Sequence, residues 1–573
     1  MIKFSRRFRR PAPFLYLVLL LLALIGGLLY IPTNIDTAAY REPRVLQWLG
    51  QEQWHWIHTY DPRLNSTGCG FEWLTAPLIL FTRTDRFIFL INWVSYLMLP
   101  GLIFSVFKQL GVRSRVVWWW MWFLSAGWCF AMQAGSVDND ALAAIYVLAA
   151  VDLSLRAKNQ QSCADFMYSM LAIALATGVK QVTLPLMLPW LMAAIMSWRL
   201  ARREPLAVMA TALACILVSF IPISIANLIY TGNWMGFSPH AAGVENPLWS
   251  NARTIVPPFW CVVGNFFCIP SQNMLPPYFP FAERWNTVMD HFVRTPFGSH
   301  FAGFDHFGRL SRFTMELNAG IGPGVCLLTL LAVVGARRGR RVNPGEQVAF
   351  HGGIYVWLRL APWLALFVFM AKIGSFAAAR YLAAYYLLLF PLILARPGHS
   401  YVVRKRWWQW MEICSMLFTA ILLVVSFDRP LFPARAIIGH LQETHPHSKI
   451  VASLSKYYAV DSLSYFGERD PLAKDLPTDG QLIGYTSDGG ILEPGLWLPL
   501  GSRNVEQIRA EDSPQWVRQQ SIHYIVVEDL FLQITGKTIA QILDEYNAEL
   551  IAQATFQSQP TYHPSHIYLV RLR

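Results

Sequence analysis

Three groups of ionisable residues stand where apolar runs end, and their side chains define the chemistry open to this chain. The first is Asp36-x-x-x-Tyr40-Arg41-x-Pro43-Arg44-x-x-x-Trp48, one acid, two arginines and two large aromatics within a short segment. The i, i+4, i+8 spacing of Asp36, Tyr40 and Arg44 lets one helical face present a carboxylate, a phenol and a guanidinium together. An interfacial amphipathic helix with surface ion pairs would show the same spacing. The second group is Asp138-Asn139-Asp140. Two carboxylates this close repel unless they are solvated, cation-bound or protonated. Hard oxygen ligands of this kind suit magnesium or manganese held against a phosphate. Helix capping is the alternative, because Ala-Leu-Ala-Ala-Ile follows and acids favour a helix amino terminus. The third group is cationic: Lys180, Lys372 and Arg380. A cation at bilayer level wants an anion, and an arginine grips phosphate through two parallel hydrogen bonds. Snorkelling to ordinary headgroups would place the same residues there. Asp152 and Arg156, four apart, read as a structural pair.

The elements that must hold these groups are apolar helices. Only 14% of the 573 residues are charged, against 54% hydrophobic, whereas soluble domains carry about 25% charged residues. This composition excludes a cytosolic enzyme, a disordered chain and, with 8 cysteines, a disulfide scaffold. The formal charge of +12 fits cytoplasmic loops of a membrane protein, not a nucleic-acid partner. Apolar runs at roughly 11–31, 87–107, 116–134, 141–155, 165–179, 182–198, 206–230, 320–336, 349–371, 380–395 and 407–427 predict about eleven transmembrane helices. With a cytoplasmic amino terminus, the clusters at Lys108 to Arg115, Arg199 to Arg203, Arg337 to Arg341 and Arg396 to Arg406 all fall inside. Trp118 to Trp120 and Trp407, Trp408 and Trp410 are expected at the membrane interface.

Three segments, 32–86, 231–319 and 428–573, then lie outside. The last is polar, with strand-like runs Leu482 to Tyr485, Tyr524 to Val527 and Ile567 to Val570 and helix-like stretches Ser513 to Gln520 and Thr538 to Leu550. That alternation predicts a small extracytoplasmic α/β domain following a transmembrane unit of residues 1–427. Cys261 and Cys268 are either a disulfide in an oxidising compartment or two buried thiols.

Taken together these features resemble polytopic glycosyltransferases of the C superfamily (GT-C fold), the lipid-phosphosugar-dependent enzymes that include protein O-mannosyltransferases and the bacterial aminoarabinose transferase. Bacterial members with a D-x-x-x-Y-H-x-P-R-x-x-x-W loop are similar to Asp36 through Trp48. Ser136-Val-Asp-Asn-Asp140 resembles their Asn-Asp, Thr177-Gly-Val-Lys180 their Thr-Lys turn, and Ala379-Arg-Tyr-Leu382 their late arginine. Arg41 stands where the related loop often has histidine, and two residues separate Thr177 from Lys180. The resemblance implies an inner-membrane enzyme of a bacterium that moves a sugar, with inversion, from a polyprenyl-phosphate donor to an extracytoplasmic glycan, lipid or protein. It implies Asp36 as general base, with Tyr40 and Arg41 beside it in the same loop, and Arg44, Lys180 and Arg380 on the donor phosphate. It leaves Asp138 and Asp140 to orient the acceptor, hold a divalent cation (magnesium or manganese; no cofactor is firmly implied) or position a basic side chain. Other readings of the same elements are a transporter of lipid-linked saccharides without chemistry, or a polysaccharide ligase or polymerase. The first predicts intramembrane charges repeated in two halves of the chain, the second one dominant outside loop.

Overall fold

Pro11 occupies the first turn of helix Pro11–Leu29, where its missing N–H costs no intrahelical bond. From there the apolar runs fold as helices throughout. The computed structural model describes residues 8, 10–32, 34–236, 256–304, 306–342, 353–375, 377–458, 471–486, 493–556 and 565–573. Residues 237–255 of the segment 231–319 lie outside the described residues. Among the described residues each of the eleven runs contains helix, but five helices are long and apolar enough to cross a membrane. The number is six if Pro205–Val218 and Ile221–Thr231, bent by 46° at a short break, form one span. The others are cut by breaks or carry charge, as Asp140–Gln160 does with Asp140, Asp152, Arg156 and Lys158. The Asp152–Arg156 pair forms as expected, at 2.8 Å.

The tryptophans depart from the interfacial expectation. Trp118, Trp119 and Trp120 are at most 4% exposed, as helix Ser114–Ser125 is enclosed on every side from Val116 onward. Trp120 packs on Trp408 with ring centroids 5.7 Å apart. Of these six tryptophans, Trp407 and Trp410 face outward. Cys261 and Cys268 are free thiols on one helix, Pro258–Asn273. Seven residues along a helix separate them by about 10 Å, beyond disulfide reach, so the pairing does not form.

Residues 428–573 open with helices Ala434–Thr444 and Lys449–Tyr457, then build a five-stranded sheet in the order β2-β1-β3-β5-β4. The strands are β1 (Leu482–Tyr485), β2 (Asn504–Gln507), β3 (Tyr524–Glu528), β4 (Ala548–Phe556) and β5 (Ser565–Leu572). β1 runs parallel to β2 and β3, whereas β5 pairs antiparallel with β3 and β4. The helix expected over Thr538 to Leu550 is shorter, Ile539–Glu545. Asn547 takes a positive φ of 46° and turns the chain into β4.

This sheet docks on the segment 32–86. Gln47 donates to Glu493 Oε1 at 2.9 Å and to the Val505 carbonyl at 3.0 Å. The Tyr60 N–H donates to Gln507 at 2.7 Å, and His58 meets Asp512 at 2.8 Å. Trp497 closes against Gly50, where a Cβ would come within 2.8 Å of the indole.

Candidate active site

The first loop is shaped by a π-helical turn, Thr37–Arg41, closed by the Glu42 N–H on the Thr37 carbonyl, and continued by helix Glu42–Gly50. A π turn aligns residues five apart, so Asp36 and Arg41 share a side. Both face the Asp138–Asp140 segment. Arg44 lies beside Tyr40, its guanidinium 6.0 Å from the ring, and Arg63 is the cation of this loop that pairs with Asp36. Arg44, 1% exposed, lies 3.6 Å from Glu72. It also donates to the carbonyls of Arg63 and Gly68 and to the Thr67 hydroxyl. Tyr40 lies between, its ring 4.7 Å from the Arg63 guanidinium and 5.1 Å from that of Arg41.

Arg380 is the hub. Its Nη2 donates to Asp36 Oδ2 at 3.0 Å and its Nη1 to Asp138 Oδ2 at 2.8 Å, with Nε 3.8 Å from Asp140. Helix Ala378–Tyr381 carries it into the interior, where it is 2% exposed. Lys180 binds Asp140 directly, and Gln133 donates to the other oxygen of Asp140 at 2.9 Å. Arg41 reaches Asp138 at 3.3 Å and Glu72 at 3.9 Å. Cations from elsewhere in the chain thus relieve the Asp138–Asp140 repulsion. Neither carboxylate caps the helix that starts at Asp140. Asp138 instead accepts the N–H of Asn139 at 2.8 Å. Among the described residues no three His, Cys, Asp or Glu side chains converge as metal ligands. The donors nearest both aspartates are a guanidinium and an ammonium, so this set does not fit a divalent ion in the present arrangement.

Reasoning from sequence passed over Arg63, Asp61 and Glu72. Arg63 lies 3.5 Å from Asp36 and is held by Asp61 at 2.6 Å. Counting the ion-paired side chains, the cluster holds five acids (Asp36, Asp61, Glu72, Asp138, Asp140) and five cations (Arg41, Arg44, Arg63, Lys180, Arg380). Its open edge consists of Asp36, Arg63 and Lys180, with side chains 11–19% exposed; Arg41, Glu72, Asp138, Asp140 and Arg380 are at most 4%. Burial works to raise the Asp36 carboxyl, but Arg380 and then Arg63 outweigh it and hold the acid below its ordinary range. Asp138 is depressed as well, burial again being opposed chiefly by Arg380 and Lys180.

Close backbone approaches fix these partners. The Gly70 N–H donates to the Gly178 carbonyl at 2.9 Å, and the Gly68 N–H to Gln181 at 3.1 Å. Asn139 donates to the Val179 carbonyl at 2.8 Å. Behind Asp36, Asn34 accepts the Asp36 N–H at 2.8 Å and donates to Glu316 at 2.7 Å. Glu316 in turn pairs with Arg429 at 2.6 Å. Such a pair, far apart in sequence and away from the apolar motifs, has no local signal.

No protein-family profile matches the chain, and no curated protein matches it. Among solved structures, ArnT from Cupriavidus metallidurans in the apo state aligns over 97% of both chains at 13% identity with a TM-score of 0.42. The form of ArnT bound to undecaprenyl phosphate gives the same coverage, 15% identity and a TM-score of 0.41. The Archaeoglobus fulgidus oligosaccharyltransferase in the apo form aligns over 89% of this chain and 69% of its own, at 12% identity and a TM-score of 0.39.

Proposed function

We propose that this chain is an integral-membrane glycosyltransferase that moves a sugar from a polyprenyl-phosphate donor to an acceptor outside the membrane. The observation that carries the reading is Arg380, whose one guanidinium bridges Asp36 and Asp138 at the closed back of a cluster that opens through Asp36, Arg63 and Lys180. Transfer requires a base for the acceptor hydroxyl and cations for the leaving phosphate, placed side by side. Asp36 is the carboxylate on the open edge and is assigned as the base, giving inversion by a single displacement. Lys180 and Arg380 are assigned to the donor phosphate, with Arg63 joining them. Arg44, spent on Glu72 and loop carbonyls, contributes by holding residues 63–68 in place and adds positive potential behind the phosphate. Asp138 and Asp140 fix Arg380 and Lys180 in position. The amino terminus is assigned to the cytoplasm and residues 428–573 to the outside.

Asp36→Asn keeps the size of the side chain and removes its basicity. Transfer from an undecaprenyl-phosphate-linked sugar should fall by roughly 10²–10⁴, while the purified protein keeps its thermal unfolding temperature and still retains the donor. Turnover within a few-fold of wild type in a folded Asp36→Asn protein would remove the assignment.

A further inference from the structure

A second concentration of cations lies apart from the Asp36 cluster. A cavity of about 410 Å³ opens between helix Ala282–Val293, residues 306–312 and helix Lys449–Tyr457. Arg309, Arg312 and Lys456 line it together with a single acid, Glu283, and the hydroxyls of Ser453 and Tyr457. Its walls are fixed: Asn286 takes both backbone groups of Leu310, at 2.9 and 3.1 Å, and Phe313 packs on Tyr457 with centroids 4.8 Å apart.

The cations are available to a ligand. Lys456 is exposed, and its ammonium forms no ion pair or hydrogen bond among the described residues. Arg309 pairs with Asp290 and Arg312 with Glu283, but these acids are 42% and 81% exposed. Exposed pairs contribute about 0–1 kcal/mol unless the geometry is two-pointed; Arg309 holds Asp290 by two hydrogen bonds, so the contact of Arg312 to the exposed Glu283 is the one that yields first to a more highly charged anion. Two guanidinium forks and an ammonium beside hydroxyls match a phosphate ester. The volume exceeds what a bare phosphate fills and falls within the range of small-molecule sites.

We propose that this cavity binds a phosphate ester borne on a polyol, independently of the transfer reaction. Two sources carry that chemistry, a lipid headgroup and a free sugar phosphate, and the wall helix favours the headgroup. Phe281, at its start, and Val288, seven residues on, are 59% and 56% exposed, with exposed Arg284 between them. An apolar and cationic face of that kind lies flat at a bilayer surface.

The test uses the full chain in neutral detergent with two probes. Glucose 1-phosphate is titrated while thermal unfolding is followed, with sodium chloride at matched ionic strength as control. Retention of phosphatidylglycerol against phosphatidylcholine is read by native mass spectrometry. Wild type should bind at least one probe saturably: the sugar phosphate identifies a soluble ligand, phosphatidylglycerol alone a headgroup. Lys456→Gln, at an exposed position that leaves the fold intact, should weaken binding several-fold, and Arg312→Gln with Lys456→Gln at least tenfold. No binding of either probe beyond the chloride and phosphatidylcholine controls overturns the proposal, as does unchanged binding by Lys456→Gln.

Discussion

Asp36 owes its ionisation to Arg380 and Arg63, since burial alone would push its carboxyl upward. A carboxylate depressed in this way stays ionised as pH falls and loses its proton-accepting form only below the ordinary carboxylate range near 3.8. Arg63→Gln removes one of the three opposing cations, Arg380, Arg63 and Arg41, and lets burial gain ground. The acid limb of the pH–rate profile should therefore move to higher pH, by about one unit for each 1.4 kcal/mol of lost interaction. An unmoved limb would show that Arg63 does not act on Asp36. Arg380→Lys tests the hub: an ammonium cannot hold Asp36 and Asp138 in parallel, so turnover should drop at least tenfold, with lower thermal stability because a buried carboxylate loses its hydrogen-bond partner. Near wild-type turnover and unfolding in that variant would reduce the bridge to an incidental pair. These residues were legible in sequence because Asp36, Asp138, Asp140, Lys180 and Arg380 interrupt or flank apolar runs, where a charge is conspicuous. Asp61 and Arg63 sit in a polar loop where charges are ordinary, and Glu72 opens the helix Glu72–Thr82, where an acid is expected at the amino terminus; only the fold shows that they turn inward.

Among the elements, the joint between the first loop and the Lys180 turn depends on glycine. A Cβ at Gly178 would meet the Val218 carbonyl oxygen at 2.1 Å, and one at Gly68 would lie 2.4 Å from the Gly178 carbonyl oxygen. Backbone atoms cannot rotate away as a flexible side chain can. Gly178→Ala should cost about 1–3 kcal/mol in stability and lower transfer by displacing Lys180, whereas Gly101→Ala, with nothing within 4 Å, should do neither. Thermal unfolding and turnover of the two variants side by side give the answer, and equal behaviour would refute the role of the joint. The two residues between Thr177 and Lys180 thus belong to the packing of this turn. Periodicity identified the helices and β1, β3 and β5, whose apolar runs are short and rich in β-branched residues. It missed β2, a four-residue polar strand, and β4, where the capping box at Thr538 and Gln541 starts a real helix that stops early. The π turn was invisible because its residues also suit an α-helix, and one additional residue per turn leaves no compositional trace.

At the scale of the whole molecule, the sheet and the first loop meet across a carboxyl-rich seam. Glu506 on β2 is half-buried and pushed up to about 8, by burial first and then by Glu493 and Asp512. A raised carboxyl means that the folded state holds a proton the unfolded chain has released. Its contribution to stability is therefore greatest below about 4.5, the unfolded value, and is lost as pH rises through about 8. Thermal unfolding of the full chain should weaken across that window, and Glu506→Gln should flatten the dependence; an unchanged slope would count against the seam. The same seam bears on how the protein is made. Gln47, in the helix that continues the Asp36 turn, is held by Glu493, a residue that leaves the ribosome 446 positions later. Until that stretch is synthesised and delivered to the same face of the membrane, the helix lacks its partner. The first loop therefore takes its final packing only late in biosynthesis, after all but the last 80 residues have been made.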